Sequence, residues 1–122
     1  MHYKRIELKV TDQGIHERKI FQGVKIFSRS KLSKDQKSIL KQKLYLTPKQ
    51  NIVFYQRTDV NYDQNWHHHK DYYELTYGQL DGETVFKVCQ DFDELNPFLE
   101  NELLEKLKEK LVAGKFFEKL DI

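Results

Sequence analysis

Three consecutive histidines, His67, His68 and His69, are the residues whose type and spacing come nearest to chemistry in this chain. In an extended segment His67 and His69 would lie on one side, and two imidazoles can begin a divalent-metal site. A zinc site ordinarily takes three or four protein ligands, oriented by hydrogen bonds from behind. Asp63, Asp71, His16 and His2 could each supply a third, but spacing selects none of them. The sequence therefore predicts no bound metal or other cofactor, and leaves His67 and His69 as the pair to test. Trp66 stands beside them with Tyr62, Tyr72 and Tyr73 close by. Aromatic residues among polar ones recur at recognition surfaces, and they also fill cores. Trp66, His67, His69 and Tyr72 are the predicted contacts for a partner or ligand.

A second constellation is basic. Lys41, Lys43, Tyr45, Lys49, Tyr55 and Arg57 could clamp and stack single-stranded nucleic acid. No RNA-binding signature or recognition-helix pattern accompanies them. Nucleic-acid binding is thus an alternative function, not the favoured one. Catalytic motifs are missing from the sequence: there is no nucleophile elbow, phosphate loop or H-E-x-x-H pair. Asp91, Asp93 and Glu94 form a carboxylate cluster, but at a helix start such a run serves unpaired amides and the helix dipole. The chain reads as non-enzymatic.

Charge is divided unequally. Residues 1–60 hold 14 Lys or Arg against 5 Asp or Glu, whereas residues 61–122 hold 7 against 14. Either the first half offers a basic face to phosphates, or the two halves neutralise one another inside one compact unit. Alternation of lysines with apolar residues along strands favours the second reading. The 122 residues suit one domain that buries roughly two-thirds of its unfolded surface. The sole cysteine, Cys89, sits in the alternating run Val85–Cys89 and reads as a small half-buried hydrophobe. The charged start is not a secretory signal, and no run approaches 18 apolar residues. A soluble, cytoplasmic protein that does not span a membrane is expected.

The elements that must position these groups are mostly strands. Ile6, Leu8 and Val10 alternate with charged residues in a first strand, and Gly14 follows in a turn. Arg18 to Leu32 is rich in β-formers, with Gln22-Gly23 as a tight turn or, alternatively, a bulge. Ser33 to Gln36 has capping-box spacing, which leaves helix or loop open for Ser33 to Ile39. Leu40, Gln42, Leu44 and Leu46 keep period two, and Pro48 to Asn51 connects them to a strand over Ile52 to Arg57. Asp59 to Lys70 is the longest loop candidate. Another strand begins near Tyr72 to Tyr77, Leu80 to Glu83 makes an Asp-Gly turn, and Val85 to Cys89 returns. A helix starts at Asp91 or at Asn96-Pro97, shows a stripe of Leu99, Leu103, Leu104, Leu107 and Leu111, and closes at Gly114. Glu102 and Lys106, like Glu105 and Lys108, have ion-pair spacing.

The final residues carry their own signal. Leu120 and Ile122 share one face of a strand read from Phe116 to Ile122, with Glu118 on the same side and Asp121 opposite. The hypothesis is that this acidic end docks on the basic first half. Glu118, Leu120, Asp121 and Ile122 also resemble the Glu-x-Leu-Asp-Ile ending of the EXLDI protein family, small bacterial proteins. Length, an early alternating strand and an acidic-apolar helix before the tail look similar too. The resemblance implies no activity.

The expected architecture is α+β: a mostly antiparallel meander sheet of about five to seven strands, one C-terminal amphipathic helix on a face, and a short closing strand. The expected role is a non-catalytic accessory or regulatory module that binds a partner or ligand, with homodimerisation through an open sheet edge as one form of partnership.

Overall fold

A computed structural model describes residues 3–61 and 83–113. The alternating residues form β1 (Lys4–Asp12), β2 (Ile15–Leu32), β3 (Ser38–Leu46), β4 (Ile52–Val60) and β5 (Glu83–Cys89). A 3-10 turn, Phe92–Leu95, leads to the helix α1 (Asn101–Val112). Sheet order is β1-β2-β3-β4-β5, and each strand pairs antiparallel with the next. The fold is therefore α+β with an antiparallel meander, as the residue periods predict. The predicted strand at Tyr72 to Tyr77, the Asp-Gly turn and the closing strand lie wholly or largely outside the described residues.

The turns obey local chemistry. Gly14 joins β1 to β2 at φ +82°, a left-handed conformation that costs glycine little. Between β3 and β4, the Thr47 amide donates to Asn51 O, and the Asn51 amide donates to Thr47 Oγ1 at 3.1 Å. Ser33 to Lys37 is a loop, not a helix. The Asp35 carboxylate accepts from the Lys37 amide, and the Ser38 amide donates to Ser33 Oγ, so side chains close the β2–β3 connection.

Gln22-Gly23 is not a turn. β2 runs unbroken for 18 residues, pairing with β1 over 15–23 and with β3 over 24–32. Its bulge falls between Lys25 and Phe27, not at the glycine. Gly23 is needed because the backbone is crowded where the strand changes partner. A Cβ there would lie 2.9 Å from the Phe21 ring and 3.3 Å from the Leu46 carbonyl oxygen.

This change of partner carries the β1–β2 hairpin across the sheet and gives β3 and β4 two covered faces, where a single covered face was expected. On one side Leu44, Leu46, Ile52, Phe54 and Cys89 pack against Phe92, Leu95, Leu99, Leu104 and Leu107. On the other, Tyr45, Val53 and Tyr55 pack under Leu8, Phe21 and neighbouring hairpin residues. Each fully buried large side chain contributes about 1.5–3 kcal/mol. Thr84 closes the curl between β1 and β5: its Oγ1 accepts from the Thr11 amide at 2.7 Å and donates to Thr11 O at 3.2 Å.

The acidic cluster caps, as expected, but it caps the 3-10 turn. The Asp91 carboxylate accepts from the Asp93 amide, and Glu94 accepts from the Asp91 and Gln90 amides. The helix begins later than either predicted start. Phe98 and Leu99 turn into the core first, and Glu100 is extended at φ −65°, ψ 147°, where its carboxylate meets Arg29. Glu100 is thus the N-cap, and helical hydrogen bonding begins where the Leu104 amide donates to its carbonyl oxygen. Leu104 and Leu107 are buried, with Leu103 and Leu111 half-buried beside them. The helix ends at Val112 with Ala113 as its cap, while Gly114 is outside the described residues.

Candidate ligand-binding cleft

Because the first half of β2 pairs with β1 alone among the described strands, it projects past β3 and overhangs β4 and β5. The hairpin is anchored through its centre. Phe21 meets Tyr45 edge-on at 5.5 Å, and the Tyr55 hydroxyl donates to Lys9 O at 2.6 Å. It does not reach the end of β5. Ile20 is 53% exposed and Val88 55%, and between them opens a cleft of about 520 Å³. That volume lies within the ~300–1,000 Å³ typical of small-molecule sites.

Phe86, Val88, Ile20 and Phe21 supply the cleft's apolar surface, over the buried Val53. Its two ends follow from the register. Gly23 approaches Leu46 O, so Gln22 lies at the Thr47–Asn51 turn, where Lys49 stands. Arg18 and Lys19 lie toward the opposite end, with Lys19 Nζ 5.7 Å from the centre of the Phe86 ring. Four residues of strand at ~3.3 Å each separate Gln22 from Arg18, about 13 Å.

Among the described residues lining the cleft there are three cations and no carboxylate. The cations differ in how far they are already neutralised. Lys19 pairs with Glu17 at 2.8 Å, and that hydrogen bond holds the Glu17 carboxyl below its ordinary pKa. Arg18 pairs with Glu7 at 3.2 Å. Lys49 has no ion pair among the described residues. Beyond Lys19 and Phe86 a second groove of about 500 Å³ continues, but Asp12 and Glu17 line it and its charge is mixed.

The sequence-predicted contacts Trp66, His67, His69 and Tyr72 lie outside the described residues, as do Asp63, Asp71, His2 and the tail residues Glu118, Leu120, Asp121 and Ile122. His16 is described. It is exposed, with Nδ1 3.1 Å from Thr11 Oγ1. Among the described residues no group of three or more His, Cys, Asp or Glu could hold a metal ion.

The predicted basic-aromatic patch is dispersed. Tyr45 and Tyr55 are buried under the hairpin and cannot stack with bases. Lys41 and Arg57 converge on Asp59, at 3.1 and 2.6 Å. Burial works against the Asp59 carboxylate, yet hydrogen bonds from Arg57 and Lys41 outweigh it and lower its pKa. Lys49 alone of the set lines the cleft. Cys89 is buried more completely than its alternating run suggests, and burial raises its thiol pKa, away from the reactive thiolate.

One polar chain was not anticipated. Gln42, 2% exposed, accepts from Arg29 Nε at 2.6 Å and donates to Gln56 Oε1 at 2.9 Å. Arg29 reaches outward to Glu100 through two bonds of 2.7 and 2.9 Å, and Lys31 adds a third at 3.0 Å. The hydrogen bonds from Arg29, then those from Lys31, hold the Glu100 pKa down to about 2. Here the basic first half does neutralise an acidic residue of the second. The available signal was Gln42 itself, a polar residue within a leucine stripe.

Among the described residues no helix is long and apolar enough to cross a membrane. No protein-family model matches this chain, and neither a curated protein nor a solved structure matches it.

Proposed function

We propose that this chain is a non-catalytic accessory or regulatory module that binds a ligand or partner in the cleft between β2 and the end of β5. The observation that carries this reading is the open apolar surface at Ile20, Phe86 and Val88, bordered by cations. Further support comes from the polar groups elsewhere: Asp91 and Glu94 are occupied as caps, Asp59 by Arg57 and Lys41, and Glu100 by Arg29 and Lys31. Nucleic-acid binding is the competing reading, and the burial of Tyr45 and Tyr55 weighs against its stacking element. The resemblance of the tail to the EXLDI family is compatible with either.

An anilinonaphthalene sulfonate dye tests the cleft directly. Its fluorescence should rise with the native protein and rise much less with Val88→Glu, a change at an exposed position that should leave the melting temperature unchanged. Equal enhancement by both proteins, or none by either, counts against this cleft as the binding surface.

A further inference from the structure

We infer that the cleft takes a free, monomeric amphiphile with one negative head group and an extended apolar body, the head lying at Lys49 and the body running along Val88 and Phe86 toward Ile20. This deepens the binding role proposed above and rests on it. Three observations combine. The floor is apolar and open over a path of about 13 Å at ~3.3 Å per strand residue, which suits a medium-length chain better than a compact ring. The described lining includes cations and no carboxylate, so a negative ligand gains attraction where a positive one meets repulsion. The placement of the head follows from which cation is uncompensated. Arg18 and Lys19 already face Glu7 and Glu17, whereas Lys49 faces no carboxylate among the described residues.

Thr47 and Asn51 share the turn end with Lys49 and line the same space. The two residues are tied to each other, the Thr47 amide donating to Asn51 O and the Asn51 amide to the Thr47 side-chain Oγ1. The turn that presents Lys49 is thus braced before any ligand arrives, which limits the ordering cost of binding. A head group at the opposite end would have to compete with Glu17 for Lys19 and with Glu7 for Arg18.

Decanoate, decanol and decyltrimethylammonium share a tail and differ in the head, so titrating each into the full-length isotope-labelled protein separates charge from hydrophobicity. Decanoate should shift the amides of Ile20, Lys49, Phe86 and Val88 and bind at least about tenfold more tightly than decanol, one factor of ten being ~1.4 kcal/mol. Decyltrimethylammonium should bind more weakly than decanol. Lys49→Glu should weaken decanoate by a similar factor and leave decanol unchanged, while Arg18→Glu should have the smaller effect. Equal binding of decanoate and decanol overturns the assignment of a negative head while the cleft itself stands. A larger loss from Arg18→Glu than from Lys49→Glu overturns its placement. Co-sedimentation with phosphatidylglycerol vesicles, without saturable binding of decanoate, overturns the free ligand in favour of a membrane surface. If neither decanoate nor the dye perturbs the cleft, the binding role falls as well.

Discussion

The buried Gln42 makes the interaction with Arg29 measurable as a coupling rather than as a single loss. Replacing Arg29 by Met keeps an aliphatic stem over Phe27, whose ring centre lies 5.7 Å from the guanidinium carbon. It also leaves Gln42 Oε1 without its donor at a position 2% exposed. An orphaned buried acceptor costs about 1–3 kcal/mol, which for a chain of this size lowers Tm by roughly 3–5 °C per kcal/mol. Gln42→Met removes the acceptor itself. Arg29, with a side chain 20% exposed, and the half-buried Gln56 can then turn to water, so this variant should lose under about 1 kcal/mol. The double variant has no orphan. It should be more stable than Arg29→Met alone, with a coupling of about 1–2 kcal/mol in urea unfolding followed by far-UV circular dichroism. If the double variant is instead less stable than Arg29→Met by the full cost of Gln42→Met, the two side chains act independently and the buried chain does not hold the fold as described.

Glu100 has a folded pKa of about 2 against an ordinary 4.5, so its stabilisation is present above pH 4.5 and is lost as pH falls toward 2. Glu100→Gln should therefore show a shallower decline of the urea midpoint across that window, and an identical decline would refute the clamp by Arg29 and Lys31. Gly23→Ala should destabilise by about 1–3 kcal/mol, because a methyl group meets the Phe21 ring and a fixed carbonyl. An increase in melting temperature, as expected for alanine at a tolerant glycine, would contradict the crowding. Thr84→Val removes both bonds to Thr11 and should cost about 1–2 kcal/mol. Amide exchange at Thr11 should accelerate in that variant, and unchanged protection there would dissolve the link between β1 and β5.

Local periods carried much of the fold. Ile6, Leu8 and Val10 announce β1, the Pro48 turn announces the β3–β4 hairpin, and Gly14 sits where a left-handed residue is required. The failures have a common cause: tertiary crowding is invisible to period and turn chemistry. Gln22-Gly23 has the composition of a turn, yet the glycine answers to a neighbouring carbonyl from β3. Likewise Glu100 stands at the helix start without capping it, because its carboxylate turns to Arg29, far earlier in sequence. One clue to the two covered faces is present in the sequence. The contiguous run Ile52-Val53-Phe54-Tyr55 is fully buried, and an uninterrupted apolar run is the mark of a strand covered on both faces. The cleft was least legible of all, since Ile20, Lys49 and Phe86 come from three separate segments and none belongs to a motif.

The order of the strands bears on how the chain acquires its shape during synthesis. Each new strand finds its neighbour among residues already made, so pairing can proceed in the direction of translation without waiting for a distant partner. Among the described residues the bonds between Thr11 and Thr84 join positions 73 apart across the curl, and those from Arg29 to Glu100 span 71. Such contacts have long chains to close, and the entropy of closing them places them among the last to form. A ribosome-bound chain halted before β5 would lack both Thr84 and the residues that cover Leu44 and Phe54, so the seam would still be undone.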